Sequence, residues 1–201
     1  MNKNFVTLAA ALAMSTILAG CGRSPSNNYH RLTATVATAP QGETPSLGVG
    51  PIDIPAYLDR EKLVYQQEGT SLQVASTEHW AEPLGAGIER VLALNLAGLL
   101  NTQDMQTFPW HPQRAPDYGV RVNLLTLDAN SNEAVLTAEW LVYRPEDAQT
   151  VQRRISRVQK PLDSGQAGID DIPAVYSELL FQLSEIIAAA IDSAVETAQG
   201  D

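Results

Sequence analysis

Cys21 is the single cysteine of the 201-residue chain, so no intramolecular disulfide can form, but its surroundings suit another chemistry. It closes the run Leu18-Ala19-Gly20-Cys21, which has the form of a bacterial lipobox. Small side chains at Ala19 and Gly20 let a peptidase approach the backbone, and the freed thiol can then take a diacylglyceryl group. The three histidines, His30, His79 and His111, are scattered, too few and too far apart for a His-rich metal cage. Glu78-His79 with Glu82 is read as a local hydrogen-bonding cluster at the start of a helix. Asp59-Arg60-Glu61-Lys62 is read as an ion-pair turn, worth under about 1 kcal/mol per exposed pair. The chain contains no G-x-S-x-G elbow, no H-E-x-x-H and no Walker sequence, so nothing marks it as a hydrolase, zinc protease or ATPase. Gly48-Val-Gly50 lacks the third glycine and following helix of a dinucleotide site. The expectation is a non-enzyme with no catalytic residues, no metal and no cofactor.

Elements must position whatever these residues do. Met1 to Asn4 is a short basic start, and Phe5 to Leu18 is an uncharged apolar run. Such a run is shorter than the roughly 20 residues that span a bilayer. It fits the h-region of a signal peptide, assigned to residues 1–20. Residues 21–28, polar and breaker-rich, read as a lipidated tether. Its seven residues after Cys21 reach at most roughly 23–25 Å, which holds the folded part close to a membrane. Residues 29–201 are then one domain.

Within that domain, Tyr29 to Thr35 is expected as a strand and residues 37–46 as a loop. Leu47 to Pro55 is expected as a strand in which Pro51 forces an edge or a bulge. Lys62 to Gln67 and Ser71 to Ala75 should pair as a hairpin around Glu68-Gly69-Thr70. Pro83 suits the first position of a helix with Leu84, Ile88, Val91, Leu92, Asn95, Leu96 and Leu99 on one face, ending near Asn101. Tyr118 to Asp128 and Ala134 to Tyr143 alternate as strands across an Asn130-Ser131-Asn132 turn. Val151 to Gln159, with Arg153, Arg154 and Arg157, is expected as an edge strand protected by charge. Ile169 to Ala198 reads as a long helix with the stripe Ile172, Val175, Leu179, Leu183, Ile186, Ala190 and Ala194. The fold class is α/β: a compact single domain, a mixed β-sheet with two main amphipathic helices packed on it.

Composition agrees with a globular chain: 44% hydrophobic, 6% aromatic and 18% charged. The 13 Lys and Arg against 23 Asp and Glu leave a formal net charge of −10, which argues against nucleic acid as a partner. Asp171, Glu178, Glu185 and Asp192 recur every seven residues along the last helix. They are read as a solvated face; the sharper alternative is a contact for the Arg153/Arg154/Arg157 edge of a second copy in a homo-oligomer.

Several segments together resemble the PqiC-like (YmbA-like) auxiliary lipoproteins of ABC-type transport systems. They are Leu47-Gly-Val-Gly-Pro-Ile-Asp-Ile-Pro-Ala-Tyr-Leu-Asp-Arg60; His79-Trp-Ala-Glu-Pro-Leu84, running on to Arg90 through Leu96; Phe108-Pro-Trp110 with Tyr118-Gly-Val-Arg-Val122; and Leu136-Thr-Ala-Glu-Trp140. With the lipobox they span roughly residues 21–195 in order. The resemblance implies a compact α/β fold and a lipoprotein on the periplasmic face of the outer membrane. It implies an auxiliary role in intermembrane lipid transport, docking a periplasmic MCE-domain protein and, through it, an inner-membrane transporter. Gly22 rather than Asp after the cysteine agrees with the outer membrane.

Within this scheme Pro55, Tyr57, Leu58, Asp59 and Arg60 form the candidate partner contact. Pro51 and Pro55 stiffen the segment, and Tyr57 and Arg60 are residue types that anchor interfaces. In the other reading Tyr57 and Leu58 cap the core while Asp59 and Arg60 pair locally. Trp80, Trp110 and Trp140 are expected to pack in the core. Two further functions remain open on the sequence: a carrier holding a lipid in its own apolar pocket, and an anchored lipid hydrolase.

Overall fold

The computed structural model describes residues 26–36, 38–66, 69–162 and 168–200. The signal peptide, Cys21, the tether up to Pro25 and Glu68 of the expected turn lie outside the described residues.

Alternating apolar positions build the centre of the molecule. β6 (Tyr118–Ala129) and β7 (Glu133–Arg144) form an antiparallel hairpin across Asn130 to Asn132. Asn130 shapes the turn, its Oδ1 accepting from the backbone N–H groups of Asn132 and Glu133 at 2.8 and 3.0 Å. In β7 every second residue, Ala134, Leu136, Ala138, Trp140 and Val142, is buried, as a strand with one covered face requires. β8 (Gln149–Pro161) adds antiparallel to β7 and is the sheet edge, as its charges foretell. β2 (Leu47–Asp53) pairs parallel with β6 and with the short β5 (Met105–Thr107), giving the order β5-β2-β6-β7-β8. β2 is therefore interior, and the bulge, not the edge, accommodates Pro51: the register with β6 shifts between Val49 and Ile52.

α1 (Leu84–Leu99) and α2 (Ile172–Gly200) cover the same face of this sheet, α1 over β2 and α2 over β7 and β8. A 3₁₀ turn, Ile169–Asp171, leads into α2. All the expected α1 face is buried except Leu99, which is partly so. On α2 the stripe departs from expectation at one turn. Ile186 is exposed and Ile187 is fully buried. The core-facing line runs Tyr176, Leu180, Leu183, Ile187, Ile191, taking the four-residue step where the sequence allowed either three or four.

The expected single sheet is two. β1 (Asn28–His30), β4 (Leu72–Trp80) and β3 (Lys62–Gln66) form a separate three-stranded sheet, order β1-β4-β3. β3 and β4 are the expected hairpin, and β1 joins β4 in parallel. The strand expected over 29–35 stops at His30. Beyond it the backbone leaves the sheet and crosses the helices as a strap. Side chains then supply the partners a ladder would have given. Ser177 Oγ accepts from Thr33 N–H at 3.1 Å, Asn95 Oδ1 accepts from Thr35 N–H at 3.0 Å, and Arg90 Nη2 donates to Leu32 carbonyl at 3.0 Å.

Candidate functional site

Strand alternation in the small sheet creates two different surfaces from neighbouring residues. Tyr29 pairs in register with His79, and His30 with Trp80. Successive side chains point to opposite faces, so Tyr29 and His79 share one face while Asn28, His30, Glu78 and Trp80 share the other.

The first face opens into a groove of about 530 Å³. Its walls are Tyr29, the turn Asp59-Arg60-Glu61 and the segment His79 to Leu84. The Tyr29 and His79 rings lie 5.4 Å apart, and Tyr29 is 66% exposed. Backbone bonds stitch the turn to the sheet, close the turn itself and tie β1 to the end of β4. Trp80 N–H donates to Glu61 carbonyl at 2.7 Å, Arg60 N–H to Leu58 carbonyl at 2.8 Å and Ala81 N–H to His30 carbonyl at 2.8 Å. Glu82, on the far wall, is held by Arg90. Two of the quoted sequence segments, the one ending at Arg60 and the one beginning at His79, thus meet in space. The groove also borders β1, the first strand of the described residues.

The expected contact segment divides between two roles. Leu58 is buried at 3% exposure. Tyr57 is half-buried, and its hydroxyl donates to Asp128 Oδ1 at 3.0 Å while accepting from Leu127 N–H at 3.3 Å. Desolvation, offset by the Leu127 bond and reinforced by Asp128, pushes the Tyr57 phenol up to about 12. Burial also raises Asp128, against the lowering effect of the Tyr57 bond. Tyr176 donates to Leu127 carbonyl at 3.2 Å, and burial pushes its phenol up as well. Tyr57 thereby fastens the segment to β6, and Leu58 buries itself in the core. Asp59 and Arg60 are exposed on the groove wall, and no ion pair joins them to each other or to Lys62 among the described residues. Pro55 accepts the Leu58 N–H that closes the turn, at 2.9 Å.

The second face carries a polar cluster that the local sequence did not signal. His30 Nε2 lies 2.6 Å from Glu78 Oε2, and Asn28 Nδ2 and Thr77 Oγ1 donate to Glu78 Oε1 at 3.0 and 2.9 Å. The bond to His30, first of all, holds the Glu78 carboxyl below the usual range, against desolvation. Asp170, from the 3₁₀ turn before α2, completes a group able to hold a cation. The expected Glu78/His79/Glu82 cluster does not form: Glu78 and His79 point to opposite faces of β4, and Glu78 finds His30, 48 positions away.

Trp80 and Trp140 are buried and Trp110 partly so. Trp140 Nε1 donates to Ser156 Oγ at 2.9 Å. The buried residues make one contiguous core, and the groove lies open to solvent, unlike the enclosed pocket that a lipid tail needs. Among the described residues no histidine hydrogen-bonds a serine: His30 faces Glu78, and His111 Nδ1 accepts from Gln113 N–H at 3.2 Å. Glu178 pairs with Lys160 of its own chain, so one member of the acidic repeat is already engaged.

Over residues 30–188 the chain matches the family described as the ABC-type transport auxiliary lipoprotein component. The crystal structure of an uncharacterized protein, 21% identical, superposes with a TM-score of 0.64 over 83% of this chain and 99% of that one. A Xanthomonas campestris protein of family DUF330, 14% identical, gives 0.68 over 87% and 99%. At such identities the two structures attest the fold alone. No curated protein matches the chain.

Proposed function

The chain belongs to the family of ABC-type transport auxiliary lipoprotein components, and on that footing we propose that it is a non-enzymatic docking subunit held at the outer membrane by lipid on Cys21. Residues 1–20 are the export signal, 21–28 the tether and 29–201 the docking domain. It faces the periplasm and binds an MCE-domain protein that belongs to an inner-membrane ABC transporter moving lipids between the membranes. The contact lies in the groove where Asp59 and Arg60 face Tyr29 and His79.

One observation carries this reading. The groove joins the two most specific family-like segments beside the strand that immediately follows the tether. A protein docked there sits within a short leash of the bilayer. Pro55, Tyr57 and Leu58 present Asp59 and Arg60 on a backbone already immobilised by the Asp128 and Leu127 bonds, which reduces the ordering lost on binding.

The test is capture from detergent-solubilised envelopes by the lipidated chain, with co-purifying proteins identified by mass spectrometry. An MCE-domain protein should co-purify with the native chain. Its recovery should fall at least about fivefold for Asp59→Ala combined with Arg60→Ala, as expected for loss of interface anchors. Recovery of transporter chains unaffected by the double variant moves the contact elsewhere. Absence of any MCE-domain protein from the native sample overturns the partner.

A further inference from the structure

Glu78 is the only charged side chain in the core among the described residues, 6% exposed. A buried carboxylate requires a neutralising partner or a metal ion. Its Oε1 is occupied by Asn28 and Thr77. Its Oε2 faces His30 Nε2, and a second carboxylate, Asp170, is brought to the same place. The donor atoms of His30, Glu78 and Asp170 all lie within 4.8 Å of one another. They come from β1, β4 and the 3₁₀ turn before α2, so tertiary folding alone assembles them. One imidazole carries at most a single positive charge. Two carboxylates therefore outnumber it, which leaves the group net negative and suited to a further cation.

We propose that His30 Nε2, Glu78 Oε2 and a carboxylate oxygen of Asp170 form a binding site for one divalent transition-metal ion, with Zn²⁺ the best match. The donor set selects the metal. An imidazole nitrogen with two carboxylates is a three-ligand set that Zn²⁺ completes with water as the fourth ligand. Ca²⁺ takes six to eight oxygens and Mg²⁺ an octahedron of them, which this cluster does not offer. Donors around tetrahedral zinc stand roughly 3.3–3.5 Å apart. Asp170 is exposed and on a short turn, so it can close the remaining distance, while the His30–Glu78 pair opens slightly. Asn28 and Thr77, fixing the other Glu78 oxygen, are the outer hydrogen bonds that orient a ligating carboxylate. Occupied, the site staples the first strand after the tether to β4 and to the start of α2. It lies on the face of β1 and β4 opposite the docking groove and is independent of the partner reading.

The test uses the full lipidated chain in detergent, stripped with EDTA and titrated with ZnCl₂, following calorimetry, tryptophan fluorescence (Trp80 neighbours His30) and thermal melting. One equivalent of zinc should bind and raise the melting temperature, whereas CaCl₂ and MgCl₂ at the same concentrations should not. Asp170→Asn should weaken zinc binding at least tenfold while the metal-free chain melts within a few degrees of the native one, because Asp170 is exposed. His30→Gln should weaken binding as well. No zinc binding, binding of native strength in Asp170→Asn, or binding lost only with His79→Gln or His111→Gln overturns the site.

Discussion

Tyr57 and Arg60 stand three positions apart and answer to different physics. Tyr57→Phe removes the donor to Asp128 and the acceptor of Leu127 N–H. It should destabilise by about 1–2 kcal/mol, measurable as a lower urea midpoint at unchanged slope. Arg60→Ala touches only the groove wall and should shift stability by less than about 0.5 kcal/mol. Glu78 gives a pH signature. Its folded pKa is depressed by its donors, with His30 foremost. The stabilisation is therefore complete above the ordinary glutamate range and disappears as pH falls through the lowered folded value. In EDTA, Glu78→Gln should be less stable than the native chain at pH 7. The difference should close on acidification below the usual carboxylate range, as followed by chemical denaturation at a series of pH values.

The strap over residues 31–36 shows how an element can be secured without secondary structure. Leu32 is buried at its start, helix side chains take its backbone groups, and Gly98 of α1 allows it to lie close. A Cβ at Gly98 would collide with Val36 Cγ1 and crowd its Cβ at 2.8 Å. Gly98→Ala should therefore cost about 1–3 kcal/mol through overpacking. Hydrogen exchange should find the Thr33 and Thr35 amides losing protection while those of β7 keep theirs. Survival of Thr35 protection would mean that Val36 can move aside without releasing the strap. The strap was legible only as an extended segment. Whether its backbone pairs with a strand or with Ser177 and Asn95 depends on residues 60 to 144 positions away.

At the scale of the whole molecule the helices cover one face of the five-stranded sheet, and the other face, bearing Arg121, Asn123, Glu139, Leu141 and Arg153, stays open. Ile155 stands on that face at 66% exposure. The five-stranded sheet and the two helices thus make two layers, with the small sheet β1-β4-β3 beside them. Cys21→Ala should move the protein from the membrane pellet to the soluble fraction, or leave it unprocessed in the inner membrane. Native fractionation of that variant would sink the anchor.

Local patterns determined a great deal by themselves. The alternation in β6 and β7, the Asn130 turn, the helix opening after Pro83 and the charged edge strand β8 all follow from periodicity and backbone chemistry within a dozen residues. The family was legible too, because its segments are contiguous in the chain. Tertiary structure alone decided that the strands divide into two sheets, that β2 is interior, that Ile187 rather than Ile186 faces the core, and that Tyr57 binds Asp128. It also decided that Glu78 meets His30 and Asp170. Each of these depends on which distant surface comes to lie opposite a residue. Nearest-neighbour propensity carries no information about that surface, because it exists only once the chain has closed on itself.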